Sequence, residues 1–68
     1  MKKENLEAII AQYYIALNAA KELENILKNE GIYEDDSRLD NACNALWCAV
    51  EDIQGAMYKD YGISLEFN

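Results

Sequence analysis

Apolar residues at Leu6, Ile9, Tyr13, Ala16, Ala20, Leu23 and Leu27 keep an unbroken spacing of three and four. A half-buried strand needs an apolar residue at every second position; this period instead draws one stripe along an α-helix. Leu39, Cys43, Leu46, Val50, Ile53 and Met57 repeat the alternation further along, and no proline interrupts either run. The chain therefore reads as all-α, with two helices.

The residues at the ends of each run set the boundaries. Asn5 is the expected N-cap of the first helix. Gly31 followed by Ile32 is the expected stop, a Schellman turn with glycine in the left-handed conformation and Ile32 folded back on Leu27. In "SRLD", Ser37 and Asp40 form a short-armed capping box, with Asp35 and Asp36 just ahead of the positive end of the helix dipole. Tyr61-Gly62-Ile63 repeats the stop signal. The expected organisation is one domain over 1–68: a helix over about 5–30, a loop over 31–36, a helix over about 37–61 and a tail over 62–68 with apolar Leu65 and Phe67. A short loop between two long helices predicts an antiparallel helical hairpin.

A hairpin leaves something unexplained. The stretch "AIIAQYYIALNAA", Ala8 to Ala20, carries no charge, although the chain has 13 acidic and 6 basic residues and a net charge of −7. Placed at about 100° per residue, the first helix shows a second apolar stripe through Ala8, Ile15, Ala19 and Ile26, roughly 110° from the first. Glu7, Ala11, Asn18, Glu22, Asn25 and Asn29 line the clearly wet side. One partner helix covers one stripe. The second helix is also broad, with Trp47 and Tyr58 flanking its seam.

Three things are able to cover the second stripe: the tail, another protein, or a second copy of the chain. A 68-residue chain buries only about 60% of the surface its unfolded form exposes, and small domains commonly add a disulfide, a metal or a partner subunit. The expectation is the last: a homodimer in which two hairpins form a four-helix bundle, with Ala8, Ile15, Ala19, Ile26, Trp47 and Tyr58 as the self-association interface. Alanines at 8, 16, 19 and 20 suit close helix approach.

The other two devices have little support. Cys43 and Cys48 lie five apart on one helix and diverge by about 140°, so they do not close on each other without unwinding it. No histidine accompanies them as a zinc ligand. Two free thiols suit a reducing compartment, hence a cytoplasmic protein. The start "MKKENLEAII" does not read as a signal peptide, and the uncharged run is shorter than the roughly 20 residues a bilayer requires.

The acidic balance excludes direct nucleic-acid binding, which depends on neutralising phosphates, and disfavours anionic membranes. It fits a basic protein partner, for which Glu30, Glu34, Asp35, Asp36 and Asp40 form a candidate acidic patch. That cluster does not read as a calcium loop: counted from Asp35, the twelfth position, where a bidentate glutamate belongs, is Leu46. Glu51 and Asp52 sit on neighbouring helical positions about 100° apart and read as a solvated face. Without histidine, a nucleophile–base pair or a phosphate loop, no enzyme activity and no cofactor are expected. "SRLD" bears a three-residue likeness to the Ser-Gln-Glu-Leu-Asp motif of the small two-helix aspartyl-phosphate phosphatases of sporulation control, but it is one residue short and sits at the helix start, so no function is carried over. The expected function is a non-enzymatic, acidic, helical protein–protein interaction module that self-associates. The alternative is an acidic inhibitor or nucleic-acid mimic, of phage or mobile-element type, that blocks a basic surface of a host nucleic-acid-binding protein.

Overall fold

A computed structural model of the chain describes residues 1–31 and 38–66. Two helices account for most of them, α1 (Lys3–Asn29) and α2 (Arg38–Tyr61). The long dimension of the chain is 43 Å, close to the length of about 40 Å that α1 alone reaches at 1.5 Å per residue. The two helices thus lie side by side, packed as a hairpin.

The first helix starts earlier than its sequence signal. Lys2, extended at φ −69° and ψ 145°, takes the cap position with no side-chain cap bond. Asn5, expected as N-cap, lies inside the first turn, where its backbone N–H and that of Leu6 donate to the Lys2 carbonyl at 3.0 and 3.1 Å. Main-chain bonds close this exposed turn, and Glu4 within it suits the positive dipole end.

The helix stops follow glycine, in two different patterns. Gly31 sits at φ +73° and donates to the Lys28 carbonyl at 3.1 Å, the inner bond of a Schellman turn. The outer bond and the Ile32–Leu27 contact fall outside the described residues, as does the Ser37 cap. Gly62, at φ +67°, donates instead to the Tyr58 carbonyl at 2.9 Å, and Ile63 donates to the Met57 carbonyl at 3.1 Å. The first of these is the simpler left-handed stop rather than the expected Schellman pairing.

The core is a single seam. Tyr13, Leu17, Ala20 and Leu27 of α1, Cys43, Val50 and Met57 of α2, and Leu65 of the tail are its buried residues. Leu6, Ile9, Ile10, Ala16, Leu46, Trp47, Ile53 and Ile63 pack against it half-buried. Most expected seam positions lie in this set. Leu39 does not: it is 51% exposed, because it belongs to the first turn of α2, at the loop end of the hairpin one turn beyond buried Cys43. Leu17, which lies outside the three-and-four spacing of the first stripe, is 1% exposed, since Leu65 of the tail joins it in the core.

Candidate interaction surface

Two helices packed side by side leave a groove on each side of their seam, and this chain treats its two grooves differently. One is filled. After Gly62 turns the backbone, residues 63–66 run back along the hairpin, with Ile63 half-buried, Ser64 exposed, Leu65 buried and Glu66 exposed. Leu65 joins Tyr13, Leu17, Val50 and Met57 in the core. The tail backbone is gripped from both helices. The Tyr13 hydroxyl donates to the Glu66 carbonyl at 3.0 Å, and Gln54 Nε2 donates to the Leu65 carbonyl at 2.7 Å. The Glu66 N–H lies 3.4 Å from the Tyr14 hydroxyl, a long bond at an exposed site. Tyr13 and Tyr14 meet edge to face, 5.0 Å between ring centres, so one ring stays under the tail while its neighbour reaches the tail's outer edge.

The other groove is open. It is apolar, about 380 Å³ in volume, and lined by Ala8, Ile9, Gln12, Tyr13, Ala16 and Ile53. Of the second stripe, Ala8 lines this groove; Ala19 is exposed further along α1, and Ile15 and Ile26 are 59% and 58% exposed on the same stripe, turned further from α2. Residues 63–66 therefore do not cover the second stripe; they cover the opposite flank. A further set of residues shares the open side. Ala42, Ala45, Ala49 and Ala56, all exposed, are spaced with Ile53 by three and four, which places them on one face of α2 beside the groove. The sequence reading missed this alanine ladder. Its spacing was visible, but its side of the helix depended on knowing which groove the tail would take. Between Asn41 and Val50, α2 has no charged residue, a counterpart to Ala8–Ala20 on α1.

The six residues expected to form one interface are divided by this arrangement. Ala8 lines the open groove, and Ile15, Ala19 and Ile26 continue its stripe along α1. Tyr58, 66% exposed, borders a depression with Gln54, Gly55, Ser64 and Leu65 on the tail flank. Trp47, half-buried against the core, lies two turns before Gln54 and so falls on the same side. The residues of the candidate acidic patch are mostly beyond view: Glu34, Asp35 and Asp36 lie outside the described residues, while Glu30 is exposed at the end of α1 and Asp40 is half-buried in the first turn of α2.

The titratable groups divide by burial. The Tyr13 hydroxyl is pushed above the usual tyrosine pKa by desolvation, with the neighbouring Tyr14 hydroxyl adding to it. Cys43 is buried, and desolvation, followed by the carboxylates of Glu24 and Asp40, raises its thiol above the usual cysteine value. Its thiolate is thus disfavoured; Cys48 is a free thiol open to solvent. Glu24 forms an ion pair with Lys28 at 3.1 Å along α1. Among the described residues, no group of three or more potential ligands is placed to hold a metal ion, and no helix is long and apolar enough to cross a membrane. No family model, no curated protein and no solved structure matches the chain.

Proposed function

We propose that this chain is a non-enzymatic helical interaction module that pairs with a second copy through its open flank, the two hairpins forming a four-helix bundle. The observation that carries this reading is the asymmetry of the grooves: residues 63–66 cover one, while the other, lined by Ala8, Ile9, Ala16 and Ile53, is open, with Ile15 and Ile26 more than half exposed on the stripe of α1 that Ala8 belongs to. Area supports it. The chain exposes 5043 Å², roughly 650 Å² above the figure of about 4400 Å² that area–mass scaling gives for a monomer of 7.8 kDa. That excess approaches one partner's share, about 800 Å², of a standard interface. Alanines on both helices permit close approach, and a twofold pairing buries the same flank on each copy. Trp47 and Tyr58 belong to the other flank and are left out of the proposed interface. Two free thiols fit a cytoplasmic setting.

Sedimentation equilibrium tests the reading. At tens of micromolar, the expected mass is twice 7.8 kDa, with melting that rises with concentration. Ile15→Asp, at a site already exposed in the hairpin, is expected to return the mass to the monomer while helicity stays. A wild-type chain that sediments as a monomer and melts independently of concentration sinks the proposal.

A second reading rests on charge. The net charge is −7, and Glu4, Glu7, Glu22, Glu51, Asp52 and Asp60 are all exposed. An acidic inhibitor that covers a basic nucleic-acid-binding surface would use them. Capture of such a protein that is lost at about 0.5 M salt favours this reading, since screening weakens exposed ion pairs; salt-resistant capture counts against it.

A further inference from the structure

The open flank is built to take a second copy in one direction. We infer that this copy lies inverted, its loop end against the terminal end of the first, about a twofold axis level with Leu17 of α1 and Ala49 of α2. The inference rests on the pairing proposed above and adds the direction and register of the partner.

The flank is symmetrical about that level. On α1, Ala8 and Ile26 each stand nine residues from Leu17, and Ile15 and Ala19 each stand two. On α2, Ala45 and Ile53 stand four residues from Ala49, Ala42 and Ala56 stand seven, and Arg38 and Asp60 stand eleven. All of them are exposed except half-buried Ile53. Steps of three and four join those of α2 into one stripe. The two centres are level in the hairpin. Ile53 shares the open groove with Tyr13; four residues on along α1 is Leu17, and four back along the antiparallel α2 is Ala49.

Inversion about this level turns symmetry into contacts, because a twofold interface sets residue i against j and j against i. Every isoleucine then faces an alanine of the other copy. Ile26 faces Ala8 beside the groove, Ile15 faces Ala19, and Ile53 faces Ala45. Large against small lets facing layers interdigitate without voids. Ala49 meets its own counterpart at the axis, where a single methyl group allows one α2 to approach the other.

Charge selects the direction. The net charge of −7 is spread unevenly along the hairpin. At the loop end, Glu30 and Asp40 stand with Lys28 and Arg38, and the chain between the helices adds Glu34, Asp35 and Asp36. At the other end, Lys2, Lys3 and Lys59 outnumber Glu4 and Asp60. A copy laid in the same direction stacks the two acidic ends. An inverted copy sets each acidic end on the other's basic one. Arg38 and Asp60, about 33 Å apart along one helix, come together only between inverted copies. Glu22, at the border of the α1 stripe, comes opposite the amide of Gln12 rather than another carboxylate.

Disulfide trapping tests the direction, in a Cys48→Ser background with buried Cys43 left in place. Helices about 8–10 Å apart bring facing Cα atoms within about 6 Å, inside disulfide reach. Under mild oxidation at tens of micromolar, Ala49→Cys is expected to link to its own copy. Ala42→Cys and Ala56→Cys are each expected to stay unlinked alone, since about 21 Å of helix separates either residue from its counterpart. Mixed, these two variants are expected to link to each other. Arg38→Glu is expected to weaken pairing about tenfold at low salt, because two exposed ion pairs per dimer become repulsions, and adding Asp60→Arg to restore it. A dimeric wild type in which the mixture stays unlinked, or in which Asp60→Arg deepens the loss, overturns the inverted register and leaves the pairing intact. A monomeric wild type overturns both.

Discussion

Replacing Leu65 by alanine is expected to cost less than a buried leucine normally does. Docking residues 63–66 fixes four backbones, at about 1–2 kcal/mol each, so the opposing term is around 5 kcal/mol. On the favourable side, near-complete burial of Leu65, 6% exposed, contributes about 2 kcal/mol and half-burial of Ile63 about 1 kcal/mol. The hydrogen bonds from Tyr13 and Gln54, with the long contact to Tyr14, add about 1 kcal/mol each at most. With the hydrogen bonds at their upper limit, the balance is about 1 kcal/mol in favour of the docked tail. Leu65→Ala removes about as much as that whole balance, so the tail lets go and the loss stops there. A leucine locked in a core instead loses about 2–5 kcal/mol on truncation. The signature is non-additivity. Gln54→Ala alone costs about 0.5–1 kcal/mol; added to Leu65→Ala it costs nothing further, because the carbonyl it served has already left. Urea melts of the four chains of this cycle, at micromolar concentration and at ten times that, separate the intrachain part from association. A Leu65→Ala loss above about 3 kcal/mol, or a double variant that loses the sum of the singles, refutes the picture of a marginally docked tail.

Three further outcomes are expected. Gly55 and Gly62 both have open space where a Cβ would go, yet alanine acts oppositely at the two: Gly55→Ala stabilises α2 by about 1 kcal/mol, while Gly62→Ala, at φ +67°, costs about 1 kcal/mol. Thermal melts resolve these as shifts of roughly 5 °C in opposite directions. Ellman's reagent is expected to titrate Cys48 at once and Cys43 only as the chain opens, and Cys48→Ser to abolish the fast phase; two fast thiols would contradict the buried position of Cys43. The Tyr13 hydroxyl has a higher pKa folded than unfolded, so the stability it contributes is complete below the ordinary tyrosine pKa of 10.0 and is lost as pH rises beyond it. Denaturation between about pH 8 and pH 11 should show that fall, shallower in Tyr13→Phe.

The helical hairpin was legible because its causes are local. Spacing by three and four selected Tyr13, Ala20, Leu27, Cys43, Val50 and Met57 as inward-facing, and each is buried. Glycine placed both helix stops because only glycine takes a positive φ without strain. What periodicity did not contain has non-local causes. Whether Leu39 is covered depends on what stands across from it at the loop end, and periodicity does not contain that. The side of the hairpin on which Trp47 and Tyr58 lie, relative to Ala8 and Ile15, was fixed only when the tail chose a groove. That choice rests on contacts between Tyr13 and Glu66, from opposite ends of the chain. The alanines of α2 were equally visible in sequence, but a small residue on a helix signals nothing until its neighbours are known.

The grip on the tail has a consequence for how the chain tolerates change. Tyr13, Tyr14 and Gln54 hold carbonyls and an N–H, groups that every residue other than proline supplies. Ser64 and Glu66 are exposed, and almost any side chain serves at either position. Over residues 63–66 the alphabet reduces to an apolar residue at 63 and 65 and freedom between them. The helices that grip it are far less permissive: losing the hydroxyl of Tyr13 or the amide of Gln54 removes a contact that no change within the tail restores.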